Sequence, residues 1–138
     1  ASLKKSVRNS DCAAKALIDR QSGELIGICT FTAYSLEKQR VSGVLQGSQP
    51  SEIGVVRLVM LGVARKYQKR GFGQDLLCDF FEHVKIIHQA LPIKGVYLDA
   101  DPAAINFYAR LGFVQLSATP NAFGAVPMFL AIQHILAA

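Results

Sequence analysis

Between Gln68 and Gly73 the chain reads QKRGFG, two cations set directly against two glycines. An apolar run, VVRLVMLGVA, precedes it, and QDLLCDFFEHVKIIHQAL follows. Strand, basic glycine turn and helix together build an anion site, because N–H groups at a helix N-terminus point outward and glycine leaves them uncovered. A P-loop would need GxxxxGK[ST], a spacing the chain lacks. A dinucleotide fingerprint would need GxGxxG, and Leu76 stands where the third glycine belongs. What remains is Q-x-x-G-x-G, running from Gln68 through Gly71 to Gly73. Successive backbone N–H groups, left uncovered at Gly71 and Gly73 on either side of Phe72, can ring a pyrophosphate, with Lys69 and Arg70 adding charge at the rim and Gln74 and the helix dipole beneath. The plainer alternative is a β–α turn whose glycines serve only tight packing.

Other reactive side chains point nowhere in particular. His83 and His88 are five apart and fall on different faces of a helix, so they make no metal pair and read as ordinary histidines. His134 is equally uninformative. Cys12, Cys29 and Cys78 are odd in number and far apart, which fits reduced thiols in a cytoplasmic protein better than a disulfide frame or a zinc site. No metal is expected. The net charge of +5, with a pI near 9.3, favours an anionic partner such as a nucleotide or nucleic acid.

These residues need elements to hold them. A chain of 138 residues, 51% hydrophobic, is one domain on length and can bury a core. No run approaches the roughly 18 uninterrupted apolar residues of a membrane helix. ASLKKSVRNSD has cations but no apolar segment of the secretory kind. CAAKALID and ELIGICTFTAYS flank Arg20–Gly23 as a hairpin. Leu36 to Ser51 reads as a long surface excursion of the functional or mobile kind. Ile53 to Ala64, apolar except for Arg57, reads as a strand covered on both faces. Leu76, Leu77, Phe80, Phe81, Val84 and Ile87 make a helical stripe, with Asp75, Asp79, Glu82 and Lys85 opposite. VYLDA is a strand, PAAINFYARLGF a helix and PMFLAIQHI a last strand. The order β-β-β-α-β-α-β-β predicts an α/β or α+β sheet with its helices in the second half.

The LGVARKYQKRGFG strand and loop, a helix and strand, and then AAINFYARLGF resemble, in that order, the GNAT superfamily of acetyl-CoA-dependent N-acetyltransferases. The resemblance covers roughly Leu17 to Ile132. It implies a mixed, mostly antiparallel sheet splayed at the acetyl-CoA site, with flanking helices. The family usually opens with a strand and one or two helices, for which about a dozen residues are present here, so the N-terminal lobe is expected to be short or missing. The resemblance implies that the loop Gln68–Gln74 grips the coenzyme pyrophosphate and that the strand at Leu61, Gly62 and Val63 pairs with the pantetheine. It makes Tyr108 the proton donor or the thiolate-stabilising group. Asp101 stands where the family often has a coenzyme-touching asparagine.

Acetyl transfer needs a neutral amine, a polarised thioester carbonyl and a proton for the thiolate. An N–H around Leu61–Val63, with a bulge at Gly62, could hold the oxyanion. The strand from Ile53 to Val63 has no carboxylate to act as base, and Glu52 lies just before it. A lysine amine, at pKa about 10.4, would need such help, whereas an α-amine at about 7.7–8.0 needs far less. Within the superfamily the long segment between the third and fourth strands, the RLxxLGVxRxYQxxGFG cadence and AxxFYxxLGF resemble the tRNA-acetylating toxins of toxin–antitoxin modules. Met60 replaces a common arginine there, and Lys69-Arg70 a glycine-containing pair. That resemblance implies aminoacyl-tRNA as acceptor, a block of translation, a homodimer and a small DNA-binding antitoxin. Lys38, Arg40 and Lys66 are the candidate tRNA-contacting cations. The alternatives are a GNAT enzyme acting on a protein N-terminus or a small amine, and a non-enzymatic acyl-CoA-binding module.

Overall fold

The computed structural model describes residues 2–9 and 11–137. Its strands are β1 (Ser2–Arg8), β2 (Ala13–Asp19), β3 (Leu25–Glu37), β4 (Glu52–Val63), β5 (Gly95–Ala100), β6 (Val114–Gln115) and β7 (Val126–Ala131). The helices are α1 (Phe72–Ala90), α2 (Ile105–Arg110) and α3 (Ile132–Ala137). The strands form one mixed α/β sheet in the order β1-β2-β3-β4-β5-β7-β6, and the pairs β1–β2, β2–β3, β5–β7 and β6–β7 are antiparallel. The chain forms two compact units, one of residues up to Thr32 with Leu58–Ile87, the other of Ala33–Arg57 with residues from His88 onward.

In the first unit, β1 is an addition to the expected order. Ser2 pairs with Asp19 and Arg8 with Ala13. The Asn9 side chain caps the turn by accepting from the N–H groups of Asp11 and Cys12. β1 is the sheet's end strand, where lysines such as Lys4 and Lys5 deter further pairing and also hide the strand from a reading by hydrophobic pattern. The helical stripe appears as expected, with Leu76, Leu77, Phe80 and Val84 buried on α1. Phe80 meets Phe31 of β3 at 4.9 Å between ring centroids. On its other side α1 presents Asp79, which pairs with Lys4 and Lys15 at 3.7 and 3.6 Å.

The second unit has its core on one face of the sheet, where Leu36, Ile53, Val55, Tyr97, Phe129 and Ala131 pack together with Val41. Val41 belongs to the segment between β3 and β4, a 3₁₀ turn over Lys38–Val41 followed by loop. The excursion expected to be superficial therefore sends a buried anchor into the core. Gly95 starts β5 because a Cβ there would overlap the carbonyl of Leu130. The strand expected over PMFLAIQHI ends at Ala131, and α3 takes the remainder. PAAINFYAR is a 3₁₀ turn at Pro102–Ala104 followed by the shorter α2.

β4 also departs from expectation. Ile53, Val55, Val56 and Leu58 are buried, but Val59 and Met60 are 52% and 47% exposed. The strand expected to be covered on both faces is thus open toward its C-terminal end.

Candidate functional site

β4 runs through Gly62 to Val63. The strand end is pinned by Ala64, whose N–H donates to the carbonyl of Ile26 at 2.8 Å. A 3₁₀ turn over Arg65–Tyr67 follows. Tyr67 is buried, donates its hydroxyl to Glu24 at 3.2 Å, and sets its ring edge-on to Phe72. The Gln68 side chain donates to the carbonyl of Val63 at 3.0 Å, and its backbone N–H is taken by Arg65. Gln68 therefore braces the loop through its side-chain amide.

Beyond Gln68 the backbone turns through two positive φ angles, 65° at Lys69 and 83° at Gly71. A Cβ at Gly71 would meet nothing within 4 Å. The glycine is thus required by conformation and not by packing, and the space above it is open. The first bond into α1 runs from the Asp75 N–H to the Gly71 carbonyl at 3.1 Å. The N–H groups of Phe72, Gly73 and Gln74 consequently have no acceptor within the helix, at its positive end. This is an anion-binding arrangement. Lys69 and Arg70 are exposed, and the Arg70 guanidinium sits 5.8 Å from the Tyr67 ring centre. Lys66 is engaged with Glu24 at 3.2 Å, and that hydrogen bond raises its pKa.

In the second unit, Tyr108 of α2 is 9% exposed. Its ring lies edge-on to Phe107 and Phe113, at 5.1 and 5.6 Å. Its carbonyl closes the helix by accepting from Leu111 and Phe113. The Asp101 carboxylate accepts from the Ala103 N–H at 2.9 Å and so caps the turn before α2. Lys38 is exposed, whereas Arg40 donates to the Tyr97 hydroxyl at 2.8 Å. Of the three cations expected to meet RNA, Lys66 and Arg40 are thus held by the protein itself.

In sequence Arg57 stands only as an interruption of an apolar strand, and Asp99 is not singled out. Arg57 pairs with Asp99 at 3.3 Å and lies over the Tyr34 ring, which stacks on Tyr97 at 5.4 Å. The Tyr97 hydroxyl donates to Asp99 at 2.8 Å. Burial, and then that hydrogen bond, push the Tyr97 phenol above its ordinary pKa. The available signal was one cation in an apolar strand and one carboxylate in another, since buried charges are paired.

His83 packs on Phe31, and burial followed by the nearby Lys15 lowers its pKa. Cys12, Cys29 and Cys78 are free thiols. Among the described residues no group of His, Cys, Asp and Glu is placed to hold a metal, and no helix is long and apolar enough to cross a membrane.

A strand running into a basic glycine loop and the exposed amides of a helix, with a tyrosine helix later in the same chain, defines a class. The chain belongs to the GNAT acetyltransferases: the family's acetyltransferase (GNAT) domain matches residues 14–115. It is an N-acetyltransferase. Among solved structures it is similar to one described as a bacterial toxin, with 99% identity over 94% of this chain and 73% of that one and a TM-score of 0.92. The KacTA–DNA complex matches at 22% identity over 94% and 74% of the two chains, with a TM-score of 0.76. AtaTR bound with acetyl-CoA and AtaT complexed with acetyl-methionyl-tRNAfMet both match at 22% identity over 94% and 76%, with a TM-score of 0.75. No curated protein matches the chain.

Proposed function

We propose that this enzyme is a toxin that transfers acetyl from acetyl-CoA to the α-amine of aminoacyl-tRNA and so blocks translation. The observation that carries the coenzyme assignment is the loop: outward N–H groups at Phe72, Gly73 and Gln74, reached through the positive φ of Gly71. Such a ring suits a pyrophosphate. The toxin assignment is supported by the 99% identity to a bacterial toxin. The acceptor assignment is supported by the fold shared with AtaT and by the absence of a carboxylate between Ile53 and Val63, which suits an amine of low pKa.

In the reaction the neutral amine attacks the thioester carbonyl, and the C–N bond forms as the carbonyl oxygen takes up charge. A backbone N–H of Leu61–Val63 stabilises that oxyanion. The C–S bond then breaks, the Tyr108 hydroxyl protonates the departing thiolate, and the amine nitrogen loses its extra proton to solvent. Gln68 and Asp101 act by shaping the loop and the turn before α2. Residues 1–138 act as a single N-acetyltransferase domain, in a cytoplasmic homodimer restrained by a small DNA-binding antitoxin.

Expression of the protein in cells, followed by mass spectrometry of bulk aminoacyl-tRNA, tests this reading. Acetylated aminoacyl-tRNA should accumulate as translation stops. Growth arrest with unmodified aminoacyl-tRNA and acetylated protein N-termini or small amines would replace it.

A further inference from the structure

The loop from Gln68 to Gly71 leaves one aromatic ring and returns to it. Tyr67 stands immediately before the loop and is 8% exposed. Its ring meets Phe72, the first residue of α1, edge-on at 6.0 Å between centroids. The Arg70 guanidinium lies over the same ring, 5.8 Å from its centre, within the range of a cation–π contact. Both ends of the loop and one of its cations thus rest on Tyr67. Phe72 carries one of the outward N–H groups, so the position of this ring decides where that amide points.

The ring is held from outside the loop. The Tyr67 hydroxyl donates to Glu24 Oε2 at 3.2 Å, and Lys66 Nζ donates to both oxygens of the same carboxylate, at 3.3 and 3.2 Å. Glu24 ends the closed turn between β2 and β3. There the Asp19 N–H donates to the Glu24 carbonyl at 2.9 Å, and the Gly23 N–H donates to the Asp19 carbonyl at 2.8 Å. Asp19, the other carboxylate near the Tyr67 hydroxyl, is engaged first by Ser22 Oγ and the Gln21 N–H, at 2.9 and 3.2 Å. The side chains of Lys66 and Glu24 are 66% and 47% exposed, and an ion pair so open to water contributes little. The hydroxyl of a buried ring is the costlier group to leave without a partner.

We infer that Glu24 is a positioning residue for the coenzyme site, holding Tyr67 and, through it, Arg70 and the Phe72 amide in the arrangement that receives a pyrophosphate; this rests on the reading of the loop as the coenzyme site. The charge of Glu24 works in the opposite direction. A carboxylate beside an anion site repels the ligand, so removing it would tighten binding if the field alone mattered. Positioning and field therefore predict changes of opposite sign.

The test is calorimetry of acetyl-CoA binding. Glu24→Ala should raise the Kd about three- to tenfold, the scale of one hydrogen bond. Glu24→Gln should bind at least as tightly as wild type, because its amide oxygen still accepts from the Tyr67 hydroxyl and the repelling charge is gone. Tyr67→Phe should match Glu24→Ala. The double variant should be no weaker than either alone, since both changes remove the same link. The ratio of variant to wild-type Kd should persist at about 1 M salt, where charge effects are screened. Tighter binding in Glu24→Ala as well as Glu24→Gln would leave only the field and overturn the inference, and additive losses in the double variant would overturn it too. If Glu24→Ala does not fold, Tyr67→Phe keeps the ring and decides the matter, wild-type affinity overturning the inference. Binding lost in folded Gly71→Val but unchanged in Glu24→Ala and Tyr67→Phe sinks the tether alone. Wild-type binding in Gly71→Val sinks the coenzyme reading of the loop, and the inference with it.

Discussion

The Gln68 side-chain amide donates to the Val63 carbonyl at 3.0 Å, tying the first residue of the loop to the last residue of β4. The loop is thereby preset before any ligand arrives. Gln68→Ala should raise the acetyl-CoA Kd about three- to tenfold, since one neutral hydrogen bond is worth about 0.5–1.5 kcal/mol. Calorimetry showing unchanged affinity would mean that the tether does not shape the coenzyme site.

Gly71 has a φ of 83° with open space around it, so strain and not collision governs its replacement. Gly71→Val should weaken acetyl-CoA binding strongly, because a β-branched residue rarely adopts that conformation. Gly71→Asn should be milder, because asparagine visits the left-handed region. Gly73→Val should also weaken binding, by crowding the exposed amides. Equal Kd values for the Val and Asn variants at Gly71 would refute the conformational argument.

Tyr108→Phe should lower kcat about 10²- to 10⁴-fold, the range for losing a proton donor. Acetyl-CoA affinity should change little. The ring contacts with Phe107 and Phe113 remain available to phenylalanine, so the Tm should stay close to wild type. Wild-type turnover in this variant would reduce Tyr108 to a core aromatic.

Cys29 lies buried in β3, and its thiol pKa is pushed up to about 11 from 9.0, chiefly by desolvation. The native state keeps this proton longer than the unfolded chain does. The contribution of Cys29 to stability is therefore full below pH 9 and declines as pH rises from 9 toward 11. Denaturant midpoints should fall across that window, and less steeply in Cys29→Ala. In alkylation, exposed Cys78 should react well before Cys29. Rapid labelling of Cys29 in the folded protein would contradict this account.

What the sequence revealed and what it hid follow from the same physics. The glycine loop and α1 were legible because closely spaced glycines and a 3.6-residue apolar period leave local marks. β1 was not, because an edge strand made of cations has no apolar alternation to read. The excursion read as surface because Val41, its deep anchor beyond the end of β3, is indistinguishable in sequence from the half-buried Val44 that follows. Arg40 read as a free cation because its partner, Tyr97, is distant along the chain. The pairing of Arg57 with Asp99 likewise depends on strands brought together only by the fold.

The central claim is the acceptor, and its most direct measurement is chemical. Purified enzyme is incubated with acetyl-CoA and tRNA charged with defined amino acids, and the products are identified by mass spectrometry. N-acetyl-aminoacyl-tRNA is the expected product, with tRNA affinity falling as salt rises. Efficient acetylation of free amines or peptides, with every charged tRNA left unmodified, would contradict it.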